Sequence, residues 1–229
     1  MWQLPANVTE NPALHNRGPV FDDRLDAGTQ LAKLLSDRQG SDAIICAIPA
    51  GGVPVGIAVA RELALRFDVL VVSKMTLPWN TEAGFGAMAA DGTSLLNQEL
   101  VDTTDLDNDA ITRATDSTRA KVLRREEHYH QVIPKQGLAN REVILVDDGL
   151  ASGFTLRVAI ESAKSQKAKH IAVAVPTGHS ASVERVAALC DQVYCANVRE
   201  GMRFAVADAY REWTDVSEEE VVQLLEQMQ

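Results

Sequence analysis

The sequence predicts an α/β fold: a doubly wound, mostly parallel sheet with flanking helices and a small hood. Three observations carry the prediction. Short apolar runs recur at residues 43–48, 69–72, 143–146, 170–175 and 192–196. Runs without polar alternation are strands buried on both faces, as in parallel sheets. Helix-period segments lie between them, which supplies the crossovers that parallel strands need. At 229 residues the chain suits a single domain over 1–229, and no repeat, low-complexity tract or linker divides it.

Taken in order, residues 22–37 set Leu25, Leu31, Ala32, Leu34 and Leu35 at helical spacing among polar neighbours, an amphipathic helix. The strand at 43–48 stops at Pro49, and the Ala-, Leu- and Val-rich stretch 53–66 reads as a helix after a glycine pair. The strand at 69–72 stops near Lys74. Pro78, Asn80, Gly84, Gly86 and Gly92 then punctuate the chain, predicting a long mobile loop around 76–95 that can hold a short hairpin. Residues 105–132 form a long polar helix with a thin seam of Ile111, Ala114, Thr118, Lys121 and Val122. After the strand at 143–146 come a helix at 155–165, a strand at 170–175, a helix at 182–189 and a strand at 192–196. Ser217 and Glu220 spell a capping box, with Val216 and Val221 as its hydrophobic staple, and the acidic run 218–220 complements the helix dipole.

Lys and Arg number 22 against 32 Asp and Glu, a formal charge of 22 − 32 = −10. That balance argues against nucleic acid or an anionic membrane as the main partner, since each needs a basic footprint. A polyanionic ligand would need backbone amides, a few placed cations or a metal ion. The longest apolar runs fall short of a membrane span, and the N-terminus lacks the basic start and apolar core of a signal peptide. Three cysteines without metal-type spacing suit a reducing compartment. A cytoplasmic protein is expected.

The chemistry concentrates in Val143-Ile-Leu-Val-Asp-Asp-Gly-Leu-Ala-Ser-Gly-Phe-Thr155. An apolar parallel strand delivers its last residues to the carboxyl edge of the sheet, where open α/β folds bind ligands. Asp147 and Asp148 arrive there together. Small residues at Gly149, Ala151, Ser152 and Gly153 let the following loop curl its amides toward one point, and a helix N-terminus adds partial positive charge: a phosphate cradle. Ser152 and Thr155 add hydroxyls. A phosphate at the loop and vicinal hydroxyls at the carboxylates describe a ribose 5-phosphate.

That pattern resembles the signature of type I phosphoribosyltransferases, and specifically an uncharacterised "predicted phosphoribosyltransferase" subgroup. The resemblance implies that Gly149, Leu150, Ala151, Ser152, Gly153, Phe154 and Thr155 hold the 5-phosphate of phosphoribosyl pyrophosphate (PRPP). It also implies that Asp147 and Asp148 face the ribose 2- and 3-hydroxyls. Ile48-Pro-Ala-Gly-Gly-Val-Pro-Val-Gly56 is similar to the family's pyrophosphate loop, which assigns Ala50, Gly51 and Gly52 to the diphosphate and puts a strained, often cis, peptide near Ala50–Gly51. Related chains have Arg where this one has Ala50, which leaves Lys74 as the cation for that role; a snorkelling strand-end lysine is the plain alternative. The likeness extends to Phe21-Asp-Asp-Arg24 with Ala27-Gly28, to Leu77-Pro-Trp-Asn-Thr-Glu-Ala-Gly-Phe-Gly86 with Leu96-Asn97, to Arg124-Arg125 with Tyr129, and to the stretch from Phe204 to Val221. It implies transfer of the 5-phosphoribosyl group from PRPP to a nitrogenous base with release of pyrophosphate. Mg²⁺ comes with it, held by the ligand, with Asp147 and Asp148 reaching it through water. It implies small-molecule substrates and a homodimer. Many purine-using relatives have an acidic residue where Ala151 stands. Ala50 and Ala151 therefore keep a second expectation open: a PRPP- or nucleotide-binding regulatory protein with little transfer.

Other features read as decoys. Gly84-Phe-Gly-Ala-Met-Ala89 spells a dinucleotide motif but follows no apolar strand. Cys190 and Cys195 have no partnering pair, and His128 with His130 reads as a solvated helix face. His179, beyond the strand at 170–175, is a candidate for touching ligand. Trp2, Trp79, Phe85 and Trp213 can each stack on a base, with core packing the default.

Overall fold

The computed structural model describes residues 4–77, 79–104 and 106–228. Trp2, Pro78 and Asp105, which figured in the expectations above, lie outside them. The chain runs β1 (Val8–Glu10), α1 (Arg24–Ala32) continuing into a 3₁₀ turn (Lys33–Arg38), β2 (Ile44–Ala47), α2 (Gly52–Leu63), β3 (Arg66–Val69), β4 (Val72–Leu77), β5 (Asn80–Ala89), β6 (Ser94–Leu96) and α3 (Gln98–Thr103). It continues through α4 (Asn108–Val132), β7 (Glu142–Val146), α5 (Phe154–Ser165), β8 (His170–His179), α6 (Ser180–Ala187), β9 (Gln192–Arg199) and α7 (Glu218–Glu226).

Six strands form one parallel sheet in the order β1-β9-β8-β7-β2-β3. The period-two pleat divides its side chains between two cores. Ile45, Ala47, Ile144, Val146, Ala172 and Ala174 join Leu31, Val55 and Val59 of α1 and α2 on one face. Ile44, Cys46, Val143, Leu145, Ile171 and Val173 join Leu156, Ile160 and Val183 of α5 and α6 on the other. That explains the unbroken apolar runs: both faces of each central strand are covered. The strand order reverses between β2 and β7, so the carboxyl ends of these two neighbouring strands mark the switch point at which open α/β sheets bind ligands.

The structure corrects several boundaries. The run at 69–72 is not one strand: β3 ends at Val69 where its partner β2 ends at Ala47, and the chain turns into a second sheet at Val72. Lys74 therefore sits inside β4 rather than at the end of a strand of the large sheet. The helix expected over 53–66 stops at Leu63, because Ala64 takes a left-handed conformation (φ 52°) and Arg66 already pairs with Ile44. Most of the stretch expected as a loop around 76–95 is strand: β4, β5 and β6 form an antiparallel sheet with a register shift at Thr76. Its glycines serve close packing there, since a Cβ on Gly86 would lie 2.7 Å from the Met75 methyl and 2.8 Å from the Leu95 carbonyl oxygen. The strands read at 170–175 and 192–196 run on to His179 and Arg199. β1 and α3 carry too few apolar residues to have been read from pattern.

α4 packs on the small sheet through Thr118, Val122 and Tyr129, all buried. Its last turn is fastened to β3. His130 Nε2 donates to Asp68 Oδ1 at 2.8 Å and its Nδ1 faces the Glu126 carbonyl at 2.9 Å, so both ring nitrogens meet acceptors. Burial lowers the imidazole pKa, but the hydrogen bond and charge of Asp68 outweigh it and leave it raised. His130 is thus a tether and not part of a solvated face; His128 does stay exposed. In α7 the capping box forms as the spacing requires, Glu220 N donating to Ser217 Oγ at 3.1 Å and Ser217 N to Glu220 Oε2 at 2.7 Å.

Candidate active site

β7 delivers Asp147 and Asp148 to the switch point, and the next turn of chain is fixed before any ligand arrives. Leu150 N donates to Thr177 O (2.9 Å) and His179 N to Leu150 O (3.0 Å), which splices the loop to β8. The Ala151 carbonyl accepts from the Ser182 hydroxyl, which in turn accepts from Arg185 at 2.7 Å. Gly153 holds φ 77° at the head of α5, a conformation that favours glycine, and no side chain caps that helix. The result is a helix N-terminus with vacant amides facing a cleft lined by Lys74, Asp147, Asp148 and the loop through Thr155. Ser152 lines the same cleft, with its hydroxyl oxygen 3.4 Å from Phe154 N.

The turn after β2 presses against this loop. A Cβ on Gly51 would sit 1.9 Å from Asp148 Oδ2, and one on Gly52 would sit 2.5 Å from the Val146 carbonyl oxygen. Glycine is needed at both for the strand ends to close. The cis peptide expected near Ala50–Gly51 lies one bond earlier, at Pro49–Ala50.

The two carboxylates face different surroundings. Asp147 borders both this cleft and an adjoining chamber. Burial, then the neighbouring Asp148, raise its pKa well above the ordinary carboxylate range, against the pull of Lys74 and Arg24. Asp148 Oδ2 accepts from Arg24 Nε at 2.9 Å, its main-chain oxygen accepts from Tyr210 Oη at 2.6 Å, and its own N–H donates to Asp147 Oδ1 at 2.9 Å. Burial raises Asp148 too, opposed by Arg24. Arg24 is itself buried, donates Nη1 to Thr214 O at 2.8 Å and lies 3.8 Å from the centre of the Trp213 ring. Sequence reasoning placed Arg24 only in the opening helix and missed this contact, because nothing local links residue 24 to residue 148.

Of the expected site residues, the structure brings Asp147, Asp148, Gly149, Leu150, Ala151, Ser152, Gly153, Thr155 and Lys74 to one cleft, whereas Phe154 packs against the core and Ala50, Gly51 and Gly52 stand outside the lining, the two glycines pressed against Asp148 and Val146. It does not bring His179 there: that residue ends β8, its Nε2 donates to Gly201 O at 2.8 Å, and its ring meets Phe204 edge-on. Phe85 is fully buried, Trp213 covers Arg24, and Trp79 is 62% exposed. Gly84 and Gly86 lie within β5, with no strand–turn–helix around them. The three cysteines are free, and burial pushes the Cys190 thiol up to about 12.

The sequence profile of the phosphoribosyl transferase domain matches residues 22–209. A curated relative, "Putative phosphoribosyl transferase Rv0571c" of Mycobacterium tuberculosis H37Rv, is 37% identical over 207 residues, 90% of this chain and 46% of that protein. Its counterpart in strain CDC 1551 aligns equally well. The chain spans about half the length of these curated relatives. Among solved structures, TT1426 from Thermus thermophilus is 31% identical with a TM-score of 0.72, covering 90% of this chain and 98% of that one. With the profile spanning both the carboxylate pair and the loop that follows it, the chain belongs to the phosphoribosyl transferase domain family.

Proposed function

We propose that the chain transfers a 5-phosphoribosyl group from PRPP to a nitrogenous base and releases pyrophosphate. The observation that carries this is the uncapped start of α5 beside Asp147 at the β2/β7 switch point. The amides of the 149–155 loop take the terminal phosphate, Asp147 accepts from the ribose hydroxyls, and Lys74 faces the diphosphate. Asp148, held by Arg24, fixes the floor of the site. The base nitrogen forms its bond to C1 as the C1–O bond breaks and its electron pair leaves on the diphosphate. The protein's part is positioning and charge stabilisation.

Mg²⁺ suits this donor set in one form. Among the described residues no cluster of three or more His, Cys, Asp or Glu could hold a metal ion. With Asp148 engaged by Arg24, Asp147 is the available carboxylate, so the ion would be held mainly by ligand phosphates and water. When bound it supplies charge neutralisation to the leaving diphosphate. A homodimer, and a cytoplasmic setting, belong to the same reading and rest on the resemblance and on composition. No described helix is long and apolar enough to cross a membrane.

The test is pyrophosphate release from PRPP with Mg²⁺ and a panel of nucleobases. Turnover with at least one base is expected. PRPP binding by calorimetry without turnover on any base would establish the regulatory alternative, which Ala50, Ala151 and the engagement of Asp148 favour. Failure of PRPP to bind would remove both.

A further inference from the structure

Past Asp147 the cleft opens into a second chamber between the β2–α2 turn, β4 and α4. Its cations are Lys74 from β4 and Lys121 and Arg125 from α4, with hydroxyls from Ser73, Thr76 and Thr155. Lys121 and Arg125 are four residues apart on one helix, hence neighbours on one face. Three cations and one carboxylate, Asp147, line the chamber, and a second carboxylate, Glu218, pairs with Arg125 from outside it, in a chain whose formal charge is −10. Such crowding is unfavourable until an anion arrives. Burial first, and then the Arg125 charge, hold the Lys121 ammonium below its ordinary pKa. Arg125 is aimed from behind: its Nε donates to Glu218 Oε1 at 2.6 Å, at the first turn of α7, where Arg124 also reaches the same carboxylate at 3.3 Å. Both chambers share Lys74, Asp147 and Thr155. A ligand anchored by its terminal phosphate at α5 therefore extends past Asp147 into this cationic end.

We infer that Lys121 and Arg125 complete, with Lys74, an anion subsite for a charged group on the anomeric carbon of a sugar phosphate, selecting PRPP over ribose 5-phosphate. The inference rests on the PRPP reading above and supplies, from α4, the charge that Ala50 does not. As the C1–O bond breaks, its electron pair stays on the diphosphate oxygen, and the same cations stabilise the negative charge that grows there. Glu218 is a positioning residue, acting through Arg125.

The experiment is calorimetry of ribose 5-phosphate and of PRPP, each with Mg²⁺, on the wild type, Lys121→Met and Arg125→Gln. Each substitution should weaken PRPP about tenfold or more, the scale of a charge-assisted hydrogen bond, and leave ribose 5-phosphate within about twofold. Ribose 5-phosphate thus reports the integrity of the fold in each variant. Wild type that binds ribose 5-phosphate but shows no preference for PRPP overturns the inference alone, as do variants whose PRPP affinity is unchanged. Wild type that binds neither compound overturns the proposed function and this inference with it.

Discussion

The two ends of the cleft are built on different principles. The end proposed for the terminal phosphate is made of backbone: seven consecutive residues, spliced to β8 by main-chain hydrogen bonds and opening on a helix start. The opposite end is made of side chains, Lys74, Lys121 and Arg125, brought in by the small sheet and by α4. The first end offers an anion main-chain amides and adds no fixed charge. The second concentrates charge in an acidic chain and depends on how α4 is seated.

That contrast can be broken most directly at the backbone. Gly52→Val puts a Cβ within 2.5 Å of the Val146 carbonyl oxygen and 3.0 Å of the Asp147 Cα, neither of which can rotate away. A stability loss of about 3 kcal/mol or more is expected, with PRPP binding abolished. Urea unfolding and calorimetry check it, and an unchanged midpoint would show that the two turns are not closely packed.

Asp147→Asn separates function from stability. Turnover should fall about a hundredfold, because the hydroxyl acceptor is weakened where charge develops. Stability at neutral pH should instead rise by about 1–2 kcal/mol, because the wild type keeps a buried carboxylate beside another. The sign follows from linkage: a carboxyl whose folded pKa is raised binds its proton more tightly in the native state. The wild type therefore loses stability as pH climbs above the unfolded value of 3.8 toward the raised one. The advantage of the Asn variant should vanish below about pH 4, and urea melts at pH 4 and 8 would read it.

At the side-chain end, His130→Phe removes the tether of α4 and leaves the Asp68 carboxylate with one partner fewer, at an expected cost of about 1–3 kcal/mol. Here the folded pKa of the imidazole is raised, so its contribution is complete below 6.5 and declines as pH rises through the folded value. The gap between wild type and variant should narrow on the alkaline side, and a constant gap from pH 6 to 9 would mean the ring acts by packing alone. The smallest effect belongs to Ser152→Ala: the loop keeps its amides and loses one neutral hydroxyl from the cleft, so PRPP affinity by calorimetry should fall only a few-fold, about 0.5–1.5 kcal/mol.

The same division marks what was legible. The 149–155 loop, the carboxylate pair before it and the strand feeding them are contiguous, so periodicity and turn chemistry exposed their placement at the sheet edge together. The capping box of α7 was readable for the same reason. Lys121 was visible only as a member of a thin helical seam, and Arg24 only as part of an opening helix. The small sheet was hidden by its own glycines, which read as loop punctuation but serve to bring Met75 and Leu95 close at Gly86. His179 was misjudged because the end of β8 could not be located without its partner β9, which carries the strand on to that residue.

By itself the sequence determined the parallel sheet and the small-residue loop that enters α5 at its edge, because both follow from local patterns: apolar runs that need cover on two faces, and small residues leading into a helix. Tertiary structure alone decided that Arg24 would occupy Asp148, leaving Asp147 with its raised pKa open to the cleft, and that α4 would bring two cations to the far end. Those pairings join residues as far apart as 24 and 148, and 121 and 74. Only the packing of helices on the two sheets sets such distances.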